Sequence, residues 1–175
     1  MPSVEIRGNT DLRKALRRFA PDLDKALTKE LRAALNPVVK QARGFVPATE
    51  EIMRGWRPRS FSEARFPFYD ASLIKSGITY STSVSKPNKN GFTSNARIIN
   101  KNAAGAIYET MGRKTPSSRF VQNQNGKYAS QMKGKDKMEG RALFRAYEEN
   151  NGKAREAVLK AISTAADKLN ARAKV

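Results

Sequence analysis

Residues 21–47 read PDLDKALTKELRAALNPVVKQARGFVP. Leu23, Leu27, Leu31, Ala34, Leu35, Val38, Ala42 and Phe45 recur at the three-to-four spacing of one apolar helix stripe. Lys25, Lys29, Arg32 and Lys40 fall off that stripe. Pro21 suits the first helical position, where a missing N–H costs nothing, and Asp22 and Asp24 suit the positive helix end. Pro37 lies inside the pattern and predicts a kink, because it removes one backbone bond and crowds the preceding turn. Gly44 and Pro47 predict the stop. This helix is the strongest local signal in the chain, and the fold is built around it.

Upstream, residues 3–8 alternate apolar and polar and predict a short strand. Thr10 is a candidate cap for a helix over 11–19, ended by Ala20-Pro21. Downstream, residues 47–72 predict a long ordered loop carrying Trp56, Phe61, Phe66, Phe68 and Tyr69. Aromatics in an Arg-containing stretch stack on nucleotide bases in some proteins. More commonly they pin a loop onto its own core or a neighbouring subunit. Residues 77–85 and 92–100 predict a hairpin, with Ile78, Tyr80 and Val84 opposite in sense to Thr79, Ser81 and Ser83. Its tip carries Lys86 and Lys89, and Asn90-Gly91 is a strong turn signal. A short helix is expected over 102–111, ended by Gly112.

Residues 113–140 change character. Arg113, Lys114, Arg119, Lys127, Lys133, Lys135 and Lys137 face only Asp136 and Glu139. Asn125-Gly126 suggests a second, weaker hairpin, and a basic arm that orders on assembly fits equally. Leu143, Phe144 and Tyr147 then open a C-terminal helix. Asn150-Asn151-Gly152 is a candidate break in it. Ala154, Val158, Ala161, Ile162, Ala165 and Leu169 continue the apolar stripe. The expected fold is therefore α+β: a long amphipathic helix and a C-terminal helix packed on a small antiparallel sheet, with long loops. One domain spanning 1–175, with a basic arm at about 113–140, accounts for the length.

Composition limits the function. The chain has 175 residues, 34 Lys and Arg against 16 Asp and Glu, and a net charge of +18. Leu, Ile, Val and Phe make up about 19% of it, which implies a thin core under a self-repelling surface. There is no Cys and no His. That removes disulfides, thiolate and serine–histidine catalysis, and histidine-ligated metals. No apolar run approaches a membrane span, and residues 1–8, with Glu5 and Arg7, lack a signal-peptide core. A reducing cytoplasm is the expected site of synthesis. No phosphate-binding glycine loop or nucleophile elbow is present. Asp22 and Asp24 superficially resemble part of a magnesium nuclease motif, but their helix-end position gives them a simpler role. Glu50-Glu51 and Glu148-Glu149 are sequence neighbours and do not converge. Neither an enzyme nor a cofactor is expected. The cationic surplus fits polyanion contact, an acidic protein partner or plain solvation, and it forms no recognisable nucleic-acid motif.

Three segments in order carry a resemblance. They are Lys29–Pro47 with its internal Pro37, then Ser72-Leu73-Ile74-Lys75-Ser76-Gly77-Ile78, then Ala106-Ile107-Tyr108-Glu109-Thr110-Met111-Gly112. Over about residues 25–170 the chain resembles the tail-completion and neck proteins of long-tailed bacteriophages. In that family a helix ending in Ala-Pro precedes a Thr-Gly-x-Leu-x-x-Ser segment and then a Tyr…Glu-x-Gly segment. Here Asp70-Ala71 stands where Thr-Gly is usual. The resemblance implies an α+β subunit in a homo-oligomeric ring, a hexamer by expectation, at the head–tail junction of the virion. Its implied partners are adjacent neck and tail-tube proteins, with non-specific contact to genome DNA and no membrane. Pro37, Pro47, Tyr108, Glu109 and Gly112 carry the family's fold motif, and no catalytic residue is implied. A small basic nucleic-acid-binding protein is the alternative reading.

Overall fold

The computed structural model describes residues 9–48, 69–91, 93–94, 96–110, 133 and 139–173. The expected strand at 3–8, most of the 47–72 loop, Gly112 and nearly all of 113–140 lie outside these residues. The chain is α+β, mostly helical with one small antiparallel sheet. Among the described residues the order is α1 (Asn9–Phe19), α2 (Pro21–Gly44), α3 (Ala71–Gly77), β1 (Ile78–Ser81), β2 (Arg97–Asn100), α4 (Ala103–Thr110) and α5 (Leu143–Ala173). No helix among them is long and apolar enough to cross a membrane.

The helix expectations hold with local corrections. α2 starts at Pro21, ends at Gly44 and contains Pro37. Leu23, Leu27, Leu31, Leu35, Val38 and Ala42 are buried along it, while Lys25, Lys29, Arg32 and Lys40 are exposed. α1 starts at Asn9, so Thr10 is its second residue and not its cap. A sequence places a helix end only to within a residue or two. α5 runs unbroken through Asn150-Asn151-Gly152. The Asn150 amide donates to Ala146 O at 2.9 Å inside the helix, and also to the Gln41 side chain. That removes its competition with the helix backbone, and one interior glycine costs only about 1 kcal/mol.

The expected 47–72 loop gives way to a helix at its end. Asp70 caps α3, its carboxylate accepting from Leu73 N–H at 2.9 Å. The hairpin is present, but its strands are four residues each. Beyond them, serine hydroxyls take backbone N–H groups: Ser94 N–H donates to Ser85 Oγ at 2.9 Å, and Ser83 N–H to Ser81 Oγ at 3.4 Å. Pro87 has no N–H to offer. The turn closes through Gly91 N–H to Asn88 O at 2.9 Å, with Gly91 at φ 74°, a conformation glycine adopts without strain. Lys86 and Lys89 are exposed at this tip.

Contacts divide the chain into two compact units, and the division passes through α2 after Asn36 and through α5 before Gly152. The first comprises the described parts of Met1–Asn36, Tyr80–Arg97 and Gly152–Val175. Its core joins Leu12, Leu16 and Ala20 to Leu23, Leu27 and Leu31 of α2 and to Ala161, Ala165 and Leu169 of α5. Alanines on α5 let the helices approach closely, which is how a chain poor in large apolar residues still builds a core. Asp24 sits 3.0 Å from Arg13 and 3.7 Å from Arg17. Asp22 takes a two-armed bond from Arg172 at 2.9 and 2.6 Å. Those hydrogen bonds hold the Asp22 carboxyl below its ordinary value.

The second unit comprises the described parts of Pro37–Thr79 and Ile98–Asn151. Here α3 packs on α4. Asn102 caps α4, its Oδ1 accepting from Gly105 N–H at 2.8 Å while its amide donates to Leu73 O at 2.5 Å. The Arg43 guanidinium donates twice to Ile78 O, at 3.0 and 2.7 Å, tying the end of α2 to the start of β1.

Candidate functional site

Two features stand out: a buried polar cluster in the second unit and exposed cations in the first. The cluster begins with two backbone carbonyls just past the end of α2, which no helix or sheet ladder serves and which need a donor once buried. After α2 ends, the Tyr108 hydroxyl donates to Phe45 O at 2.8 Å and the Tyr69 hydroxyl donates to Pro47 O at 2.5 Å. The two rings lie 6.2 Å apart at 57°, a tilted pair of the favourable kind. The Arg145 guanidinium stacks over the Phe45 ring at 3.8 Å.

The next residue on α4 closes the other end. Glu109 is 5% exposed. Its carboxylate accepts from Ala142 N–H at 3.0 Å, Leu143 N–H at 2.9 Å and Phe144 N–H at 2.8 Å. These groups open α5, so Glu109 is a helix cap supplied from another helix, with its charge at the positive dipole end. Gly140 makes the approach possible: a Cβ there would lie 2.0 Å from Glu109 Oε1. Gly140 is held in place by an antiparallel bridge to Lys133, with bonds of 2.9 and 3.1 Å. Arg141, 1% exposed, is buried beside the cluster. Burial pushes its guanidinium below the ordinary value, while Tyr108 and Glu109 pull it back up.

Burial pushes the Tyr108 hydroxyl up to about 12, with Arg141 opposing and Glu109 adding to the rise. Tyr69 is also raised, chiefly by burial. Between pH 10 and 12 the unfolded chain releases the Tyr108 proton and the folded chain keeps it. Stability from this group is therefore full below pH 10 and is lost as pH climbs to about 12. The loss is on the order of 3 kcal/mol. In an alkaline titration read by tyrosinate absorbance, Tyr69 and Tyr108 are expected to ionise late and together with unfolding. Ionisation of Tyr69 and Tyr108 near pH 10 without unfolding would contradict the arrangement.

The sequence-predicted contact residues divide clearly. Tyr69 is 3% exposed and belongs to the core of its own unit, so it is not available to a partner. Aromatic burial won over display. Pro47 is half-buried and accepts from Tyr69; Tyr108 and Glu109 are buried; Pro37 is exposed on α2. Lys86, Lys89 and Lys133 are exposed. Trp56, Phe61, Phe66, Phe68, Arg113, Lys114, Arg119, Lys127, Lys135, Lys137 and Gly112 lie outside the described residues. Sequence reasoning missed the capping roles of Asp70 and Glu109. Asp70, three residues ahead of Leu73, is a readable cap signal. Glu109 is not, because its partners lie 33 to 35 residues away.

Among the described residues no group of three acidic side chains is placed to hold a metal ion. Asp22 and Asp24, the nuclease-like pair, are each engaged by arginine. A cleft between α2 and α5, lined in part by Ala26, Glu30, Thr164 and Lys168, measures about 10 Å³. That is room for about one water. Outward-facing apolar side chains are Phe19, Leu73, Tyr147 and Leu159, with Phe19 68% exposed beneath the Arg18 guanidinium at 5.2 Å. No family model, curated protein or solved structure matches this chain. The reading of function therefore rests on the residues themselves.

Proposed function

We propose that this chain is a structural subunit of a ring at the head–tail junction of a long-tailed phage. It would act as a tail-completion, terminator or connector protein, joining the tail tube to the head around the DNA path. The observation that carries this reading is the use made of the motif residues. Pro47, Tyr108 and Glu109 do no chemistry that faces solvent. Tyr108 and Pro47 fix the chain that follows α2, and Glu109 caps the start of α5. A motif spent wholly on framework suits a subunit whose function is its shape. Exposed Phe19 and Leu159 offer apolar area for burial between copies.

On this reading the subunit is not an enzyme, needs no cofactor, is assembled in the host cytoplasm and ends in the virion. The test is the mass and shape of purified protein. Native mass measurement is expected to give a closed oligomer, a hexamer by expectation, and negative-stain microscopy to give rings. A protein that stays monomeric at high concentration and never enters particles overturns the proposal.

A further inference from the structure

Among the described residues the cations are unevenly placed. Among described residues the first unit carries fifteen Lys and Arg against six Asp and Glu, and the second carries seven against five. Three acids of the first unit are already engaged: Asp24 by Arg13 and Arg17, Asp22 by Arg172, and Asp11 by Lys14 at 3.9 Å. Lys25, Lys29 and Arg32 of α2 are exposed and have no acidic partner among the described residues. Their i, i+4, i+7 spacing puts them on the helix face opposite Leu23, Leu27 and Leu31. At 1.5 Å per residue the three charges span about 10 Å of straight helix.

We propose that this face of α2 is a docking surface for the phosphate backbone of duplex DNA, contacted without base readout. The competing occupant is an acidic protein, and the surroundings of the stripe decide between them. A protein–protein patch has an apolar or aromatic centre with charge at its rim. Among the described residues the large apolar side chains that are exposed, Phe19, Leu73, Tyr147 and Leu159, are all on other elements. Between Lys25 and Asn36 the other exposed positions of α2 are Ala26, Glu30, Ala33 and Asn36, and Glu30 lies about 100° or more around the helix from each of the three cations, off their face. Cations flanked by small and polar groups suit phosphates, which need only positive charge and donors. The same composition offers no set of side chains for reading base edges.

The placement of charge does not depend on the ring, so this inference and the ring proposal fail separately. The first is read by DNA titration and the second by particle mass. The experiment is a titration of full-length protein with a 25-base-pair duplex across a salt series. It compares wild type, K25A/K29A/R32A, and the equal-charge control K153A/K160A/K168A on α5. Circular dichroism checks that each variant is folded. Each phosphate contact contributes about 0.9 to the slope of log K against log salt. The α2 variant is expected to lose about 2 to 3 units of slope and on the order of 100-fold in affinity at 0.1 M salt. Scrambling the duplex sequence is expected to change nothing. Equal losses from both triple variants would mean diffuse charge, and would overturn the assignment to α2. Unchanged binding by the α2 variant would overturn it too, as would polyglutamate competing as well as duplex at equal charge.

Discussion

Replacing Glu109 with alanine is expected to cost about 3–5 kcal/mol. The carboxylate holds three backbone N–H groups at the start of α5, and one of them, at Ala142, is fully buried. Removing it leaves three donors without their protein acceptor. It also strips the counter-charge from beside the buried Arg141 guanidinium. Glu109→Gln keeps one oxygen for the Ala142 and Leu143 N–H groups, but sets an amide donor against Phe144 N–H. Its cost is expected to fall between wild type and alanine. Chemical denaturation gives the global loss. Hydrogen exchange at residues 142–144 gives a local reading, and protection there is expected to collapse first. A loss under about 1 kcal/mol with protection intact would show that α5 is capped by something else.

The fold was largely legible because its main signal is periodic. The stripe from Leu23 to Ala42 fixes α2 whatever surrounds it, and the stripe from Val158 to Leu169 does the same for the end of α5. Asn90-Gly91 placed the turn, which Gly91 closes at positive φ. What sequence could not supply was long-range pairing of polar groups. Asn150-Asn151-Gly152 looks like a break, yet the Asn150 amide finds Ala146 O and Gln41 and the helix continues. The regular strands are short: beyond them Ser85 N–H still pairs with Ser94 O at 2.9 Å, but the Ser83 and Ser94 N–H groups go to serine hydroxyls instead of a partner carbonyl. Tyr69 reads as a display residue in an aromatic run. It is a core residue because a hydroxyl that reaches Pro47 O can be buried at little cost. The motif Tyr108-Glu109 was visible as a pattern, but its two tasks appear only when α2 and α5 are both in place.

The second large effect separates stability from binding on a single helix. Leu31 is fully buried against α1 and α5. Leu31→Ala is expected to cost 2.7–5.0 kcal/mol by analogy with other buried leucines, approximately, from lost transfer energy and the cavity left behind. Its cluster joins leucines of α1, α2 and α5 to Ala161 and Ala165, and how far those leucines close the space sets the cost within that range. On the opposite face, Lys25 and Lys29 are like charges at i, i+4, and Lys29 and Arg32 at i, i+3. Each such pair destabilises a helix by about 0.2–0.5 kcal/mol. The K25A/K29A/R32A variant is therefore expected to melt slightly later than wild type, while Leu31→Ala melts far earlier. With ligand absent, thermal unfolding of both variants reads the two signs directly. If the triple variant were instead markedly less stable, its cations would be serving the fold, and any loss of DNA binding would be a consequence of unfolding. A stabilised, helical variant that has lost its salt-sensitive affinity leaves retention for a ligand as the reason α2 tolerates a repulsive face.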